Sequence, residues 1–158
     1  MNAVVEYVRS LWVPLDGINL LVPNVAIAEV INFQPLEMIQ EGPNWLLGSL
    51  RWRELELPVI SMEALCGFGP TQAERGARIS ILNSVRAESG LSFYAMVTSD
   101  IPRLIQADAE ALGDSIMGSR EFPDTVADCV QIGNEAAVIP DLARVQALVE
   151  SNWNALRG

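Results

Sequence analysis

Residues 48–67 read GSLRWRELELPVISMEALCG, and their spacing decides the fold class. Leu55, Leu57 and Val59 recur every second residue, the period of a strand with one buried face. Ile60 continues the apolar run. From Met62 to Leu65 the alternation stops, and these residues read as one helical turn. A strand that begins at Gly48 precedes them, separated by a tight polar break at Arg53-Glu54. The stretch is therefore strand, turn, strand and short helix.

The same grammar extends in both directions. Val8 to Pro14 reads as a strand, Asp16-Gly17 as a turn, and Ile18 to Pro23 as the returning strand. Asn24 caps a short helical stretch or a bend before Val30. Asn32 to Asn44 is irregular, broken by Pro35 and Gly42-Pro43. Trp45 to Leu47 reads as one turn of helix. Gly67 to Arg78 carries Gly67, Gly69, Pro70 and Gly76, the composition of an exposed connection. Ile79 to Val85 and Leu91 to Thr98 form a further hairpin across Glu88-Ser89-Gly90. Asp108 to Asp128 is acidic and reads as a long connection, with one helical turn at Ala109 to Leu112. Cys129 to Ile132 and Glu135 to Ile139 flank a Gly133-Asn134 turn. Asp141 is placed to cap a final helix whose apolar stripe is Leu142, Val145, Val149, Trp153 and Leu156.

Two segments rhyme. LPVISM at 57–62 and AVIPDL at 137–142 both end a hairpin and enter a helix, roughly 80 residues apart. That interval is half the chain and suits a small barrel.

Composition narrows the function. Half the residues are hydrophobic and mean hydropathy is +0.24, yet no run nears the ~18 apolar residues of a membrane span. The first residues carry Glu6 and no basic cluster, unlike a signal peptide. A cytoplasmic protein is expected. Its apolar excess leaves two readings open, a surface kept for partners or a rich core under an ordinary surface. The net charge of -10 argues against nucleic acid and anionic lipid as partners. Every one of the ten basic residues is Arg, and the chain has no His. There is thus no Schiff-base or P-loop Lys, and no imidazole to act as base, metal ligand or phosphoacceptor. Cys66 and Cys129 stand far apart without His companions, so they read as small buried groups rather than a zinc site or a disulfide. No metal or other cofactor is expected.

The order of residues in 48–67 resembles the signature of CheW-like domains, the adaptors of bacterial chemosensory arrays. In that family a Gly, a few apolar residues, an Arg-Gly turn and a Pro-Val-Ile-Asp-Leu strand end follow one another. Gly48, Arg53, Pro58, Val59 and Ile60 fall on those positions, and Met62 stands for the Leu. INLLVPNVAIAEVI at 18–31 resembles the family's strand and Val-x-Glu-Ile segment, with Glu29 on the family's Glu. The resemblance is dense over residues 4–67 and thinner over 76–142. Two positions depart. Glu54 replaces a turn Gly, which implies a positive φ strained for Glu. Ser61 replaces an Asp.

The resemblance implies a mainly β fold. Two five-stranded SH3-like β-barrels would share an apolar core, with short helices and a C-terminal helix. One domain would span 1–158, with a first barrel at 4–66, a second at 76–140 and the helix at 141–156. It implies a non-enzymatic adaptor that couples chemoreceptors to a histidine kinase. The partners would be the chemoreceptor cytoplasmic tip and the kinase regulatory domain, with no nucleic acid and no membrane insertion. Divergence at Glu54 and Ser61 suggests a member from a pilus-linked array. Glu29 and Arg53 would form an ion pair near the receptor surface, and breaking such a pair, if buried, costs ~3–5 kcal/mol. Ile27, Gly48 and Leu50 would line the receptor groove, although Ile27 also reads as core and Gly48 as a β-bend. Trp52 would be an exposed anchor, while Trp12, Trp45 and Trp153 read as core. Two alternatives stand beside this reading. One is a CheW-like scaffold without receptor contact. The other is a small hydrolase built on carboxylates such as Glu54 and Glu56, which share a strand face.

Overall fold

The computed structural model describes residues 8–85, 90–107 and 121–157. Among them the strands are β1 (Val8–Pro14), β2 (Asn19–Pro23), β3 (Ile27–Asn32), β4 (Leu46–Trp52), β5 (Leu55–Ile60), β6 (Arg78–Asn83), β7 (Phe93–Thr98), β8 (Arg103–Ala107), β9 (Val126–Ile132) and β10 (Glu135–Pro140). The helices are α1 (Met62–Leu65) and α2 (Leu142–Arg157), with a 3-10 turn at Asn24–Ala26. The helical turn expected at 109–112 lies outside the described residues.

Two five-stranded sheets form, ordered β8-β1-β2-β10-β9 and β3-β6-β7-β5-β4. The mainly β, SH3-like expectation holds, with each sheet left open in its backbone pairing between its two outermost strands. The strands do not divide at 4–66 and 76–140, however. β1 and β2 join β8, β9 and β10, so one sheet is drawn from both ends of the described chain and the other from its middle. The reason is a long-range parallel pairing, Val138 on β10 with Leu20 on β2.

The two sheets share one topology. Substituting β8, β9, β10, β1 and β2 for β3, β4, β5, β6 and β7 converts one order into the other. The parallel pair β5–β7 (Val59 opposite Ala95) matches β10–β2. The repeat extends to single hydrogen bonds offset by 80 positions. Ser61 N–H donates to Trp45 O, and Asp141 N–H to Thr125 O, both at 2.7 Å. Leu46 N–H donates to Pro43 O, and Val126 N–H to Pro123 O, both at 3.0 Å. Ser61 Oγ accepts from Ala64 N–H at 3.1 Å, and Asp141 Oδ1 from Arg144 N–H at 3.0 Å. Ser61 therefore performs the same helix capping as Asp141. The segment around Trp45, expected as a helical turn, instead contributes Leu46 and Leu47 to β4.

Burial follows the strand alternation. Val13, Leu20, Val22, Ile60, Leu82, Tyr94, Met96, Cys129 and Val138 face a core between the sheets, which Val145, Val149 and Trp153 of α2 complete. The intervening residues fill the opposite faces. Leu50, Trp52, Leu57, Val59, Ile79, Ile81, Ala95 and Val97 pack inside one sheet, and Trp12, Leu21, Val130 and Ala137 inside the other. β5, β6 and β7 are thus buried on both faces, which explains their nearly continuous apolar sequence.

Candidate functional site

The site starts at the β4–β5 turn. Arg53 and Glu54 have φ of 47° and 65°, the pair of left-handed residues that a two-residue type I′ hairpin requires. Without Gly, each left-handed residue costs roughly 1–2 kcal/mol. The turn carries Arg53 back over the preceding Trp52, with the guanidinium carbon 4.5 Å from the ring centroid. A cation over an indole face is attracted by the ring quadrupole, which offsets part of the strain.

Trp52 is not an exposed anchor. It is 7% exposed and packs edge-on against Phe93, centroids 4.9 Å apart. Its indole Nε1–H donates to Glu29 Oε2 at 2.6 Å. Because β3 and β4 are the outermost strands of their sheet, this bond closes by side chains what the backbone leaves open. Arg53 Nη2 lies 3.5 Å from the same Glu29 oxygen. Both side chains of that ion pair are substantially exposed, 69% and 39%. The pair is therefore not the buried brace whose loss costs several kcal/mol; solvent and salt screen it to about 0–1 kcal/mol. The charge-assisted indole bond is the stronger restraint on Glu29.

The three residues expected to line a groove separate. Leu50 is 5% exposed and belongs to the interior of its sheet. Its two-residue spacing to Trp52 puts both on the inward face. Gly48 is buried, and a Cβ there would stand 2.5 Å from Glu37 O. The close neighbour is thus the chain itself, through the two-way pairing of Glu37 with Ser49 at 2.9 Å. Ile27 is partly exposed and packs against the inter-sheet core. Val25, just before β3, is 77% exposed. Glu56 accepts from the buried Ser49 hydroxyl at 3.2 Å, a single neutral contact rather than a paired-acid site.

The second sheet carries a counterpart that no local sequence pattern announces. Arg103 on β8 lies 3.7 Å from Glu135, the first residue of β10, and its guanidinium sits 5.8 Å from the Trp12 ring. β8 matches β3 in the repeat, and β10 matches β5. The two ion pairs therefore span equivalent sheet mouths with reversed polarity. The signal was available only after alignment of the halves, because the residues lie on different strands of the motif.

A buried carboxylate likewise has no local sequence signal. Glu63 is 1% exposed. It accepts from Asp16 N–H at 2.9 Å and from the Thr71 hydroxyl at 2.8 Å. Thr71 Oγ1 lies 2.6 Å from Ser61 Oγ, and Asp16 Oδ2 accepts from Gln72 N–H at 3.1 Å. This network ties the β1–β2 turn of one sheet to α1 and the loop after it. Beside it, burial pushes the Cys66 thiol up to about 11, a shift that the Thr125 hydrogen bond opposes and the Glu63 charge reinforces. Among the described residues no cluster of three or more His, Cys, Asp or Glu could hold a metal ion, and no helix is long and apolar enough to cross a membrane.

The arrangement is that of a double-sheet β domain with an exposed Glu29–Arg53 knot at the mouth of one sheet. The CheW-like domain profile matches residues 9–150, and the chain belongs to the CheW-like domain family, a family of signal-transduction adaptors. The scaffolding protein TtCheW from Thermoanaerobacter tengcongensis, known from its crystal structure, shares the fold. Its TM-score is 0.70 at 15% identity, over 87% of this chain and 86% of that one. No curated protein sequence matches the chain.

Proposed function

We propose that this protein is a non-enzymatic adaptor that couples a chemoreceptor's cytoplasmic tip to the regulatory domain of a histidine kinase, on the cytoplasmic side of a receptor array. The observation that carries the reading is the Glu29–Trp52–Arg53 knot. It holds a charged pair at the open edge of one sheet, on a rigid indole support, with Val25 exposed nearby on the chain. An array joins contacts that are each weak, and effective concentration then lets small biases in receptor state control the kinase. The divergence at Glu54 and Ser61 supports, on this reading, a specialised member of a pilus-linked system.

One observation favours a second reading, a scaffold that joins the kinase without touching receptors. Leu50 and Gly48 are taken up by the chain's own packing, and the core between the sheets is continuous. Titration against purified kinase regulatory domain and, separately, receptor tip distinguishes the two. Binding of both supports the adaptor. Binding of the kinase alone supports the scaffold. Binding of neither at high micromolar concentration, with the protein folded, removes both. A Glu29→Arg, Arg53→Glu double variant that recovers receptor binding lost in each single variant would assign the pair to that surface.

A further inference from the structure

The C-terminal end of α2 and the irregular segment before β4 enclose a groove of about 300 Å³. One wall is fixed by the two-way backbone pairing of Glu37 with Ser49. The other is fixed where Gly42 meets Leu156, so closely that a Cβ would lie 3.4 Å from Leu156 Cδ1. Trp153 lines it with its buried ring. Two large apolar side chains stand open to solvent there, Met38 at 76% exposure and Leu156 at 38%. An unbranched, polarizable Met adapts to the shape of whatever side chain enters.

The charge of the groove selects its occupant. Glu37, Glu41 and Glu56 line it against the single guanidinium of Arg157, which sits 5.4 Å from the Trp153 ring. None of the three carboxylates has an ion-pair partner among the described residues. An acidic segment, a nucleic acid or an anionic lipid surface would be repelled; a chain that presents Lys or Arg beside an apolar side chain would be drawn in. Ser49 and Glu56 lie on the face of β4–β5 opposite Leu50, Trp52 and Leu57, so this surface is separate from the Glu29 knot.

We propose that the groove docks a basic amphipathic segment of a partner protein, its apolar side chain seated between Met38 and Leu156 and its cationic groups facing Glu37, Glu41 and Glu56. The test is fluorescence anisotropy of a labelled Leu/Arg amphipathic peptide and of the same peptide with Glu in place of Arg, titrated with the full chain. The basic peptide binds, the acidic one does not, and added salt weakens binding. Glu41→Arg with Glu56→Arg weakens it about tenfold or more, and Met38→Glu weakens it independently. Glu74→Arg, in the loop before β6, changes it far less than the groove pair. All four positions are solvent-facing, so circular dichroism is expected to show an unchanged fold, and Met38→Ala provides a milder variant. Equal binding of both peptides, equal losses from Glu74→Arg and the groove pair, or self-association through this face in place of peptide binding would overturn the proposal. None of these outcomes depends on whether the receptor tip or the kinase domain binds.

Discussion

At the scale of single residues, Glu29 owes its position to the indole of Trp52 more than to the guanidinium of Arg53. The indole bond is 2.6 Å and comes from a ring 7% exposed, whereas the ion pair is 3.5 Å and open to water. Truncation should separate the two. Trp52→Ala removes the ring from a packed interior and is expected to cost about 3–5 kcal/mol. Arg53→Ala should cost no more than about 1 kcal/mol. Urea unfolding of both variants checks the order; equal losses would return the dominant role to the ion pair. Glu54 supplies a prediction of opposite sign. Its φ of 65° is left-handed, so Glu54→Gly relieves strain, while Gly loses more freedom on folding. The net expectation is a stabilisation of roughly 0.5–1 kcal/mol, read as a higher urea midpoint with an unchanged slope. Lower stability would mean that the side chain of Glu54 contributes more than its backbone costs.

At the scale of elements, α2 does more than cover the core. Gln146 is fully buried. Its Oε1 accepts from Val85 N–H at 2.7 Å and its Nε2 donates to Ser84 Oγ at 2.6 Å. One turn on, Glu150 Oε1 accepts from Gly90 N–H at 3.1 Å. The helix thereby holds the residues that follow β6 and precede β7. Gln146→Leu keeps approximate volume but strands the Val85 amide, at a cost of about 1–3 kcal/mol. Hydrogen exchange at Val85 should accelerate more than at Ile81, whose strand pairing is untouched. α1 carries a pH prediction. Cys66 titrates near 11 when folded, against 9.0 when free, so the folded state holds its proton more tightly. Its contribution is fully present below pH 9 and is lost as pH rises towards 11. Tyr94, also raised by burial, acts in the same direction at higher pH. Denaturation midpoints should therefore fall above pH 9, with a smaller fall in Cys66→Ala. How much of this was legible depends on locality. β5 and the stripe of α2 were readable because their periods are local, and the cap at Asp141 because its chemistry is. β8 carries little local signal, because RLIQA at 103–107 is short, follows Pro102 and exposes Leu104. Leu50 shares a strand face with Trp52 by its two-residue spacing, and only the packing shows that this face points inward. Trp52 adjoins a turn, which by itself reads as exposure, and no local signal announces the β3 carboxylate that accepts its N–H.

At the scale of the whole molecule, topology explains why contiguous halves were the wrong division. The repeat is real, but it is permuted. The middle of the chain builds β3 to β7 as one sheet, while β1 and β2 complete the sheet that β8 to β10 begin. The weak rhyme between 57–62 and 137–142 marked equivalent strands correctly. It could not show which distant strand each would pair with, since Val59–Ala95 and Val138–Leu20 are long-range contacts set by packing rather than by neighbouring sequence. This difference predicts how the protein responds to division. A fragment ending in the loop at 67–77 would hold β1 and β2 without β8, β9 or β10, and β3 to β5 without β6 or β7. Its N-terminal part would be an isolated two-stranded hairpin, which is marginal in water. Neither it nor the complementary fragment should show cooperative unfolding alone. Mixed together, they should regain the two sheets and a single transition, because every missing strand is then supplied. Expression of the two pieces separately and together, followed by denaturation and near-ultraviolet circular dichroism, checks this. Independent cooperative folding of the 1–76 fragment would mean that a contiguous half is self-sufficient, and that the crossed pairing of β2 with β10 is an accessory to the fold instead of its closure.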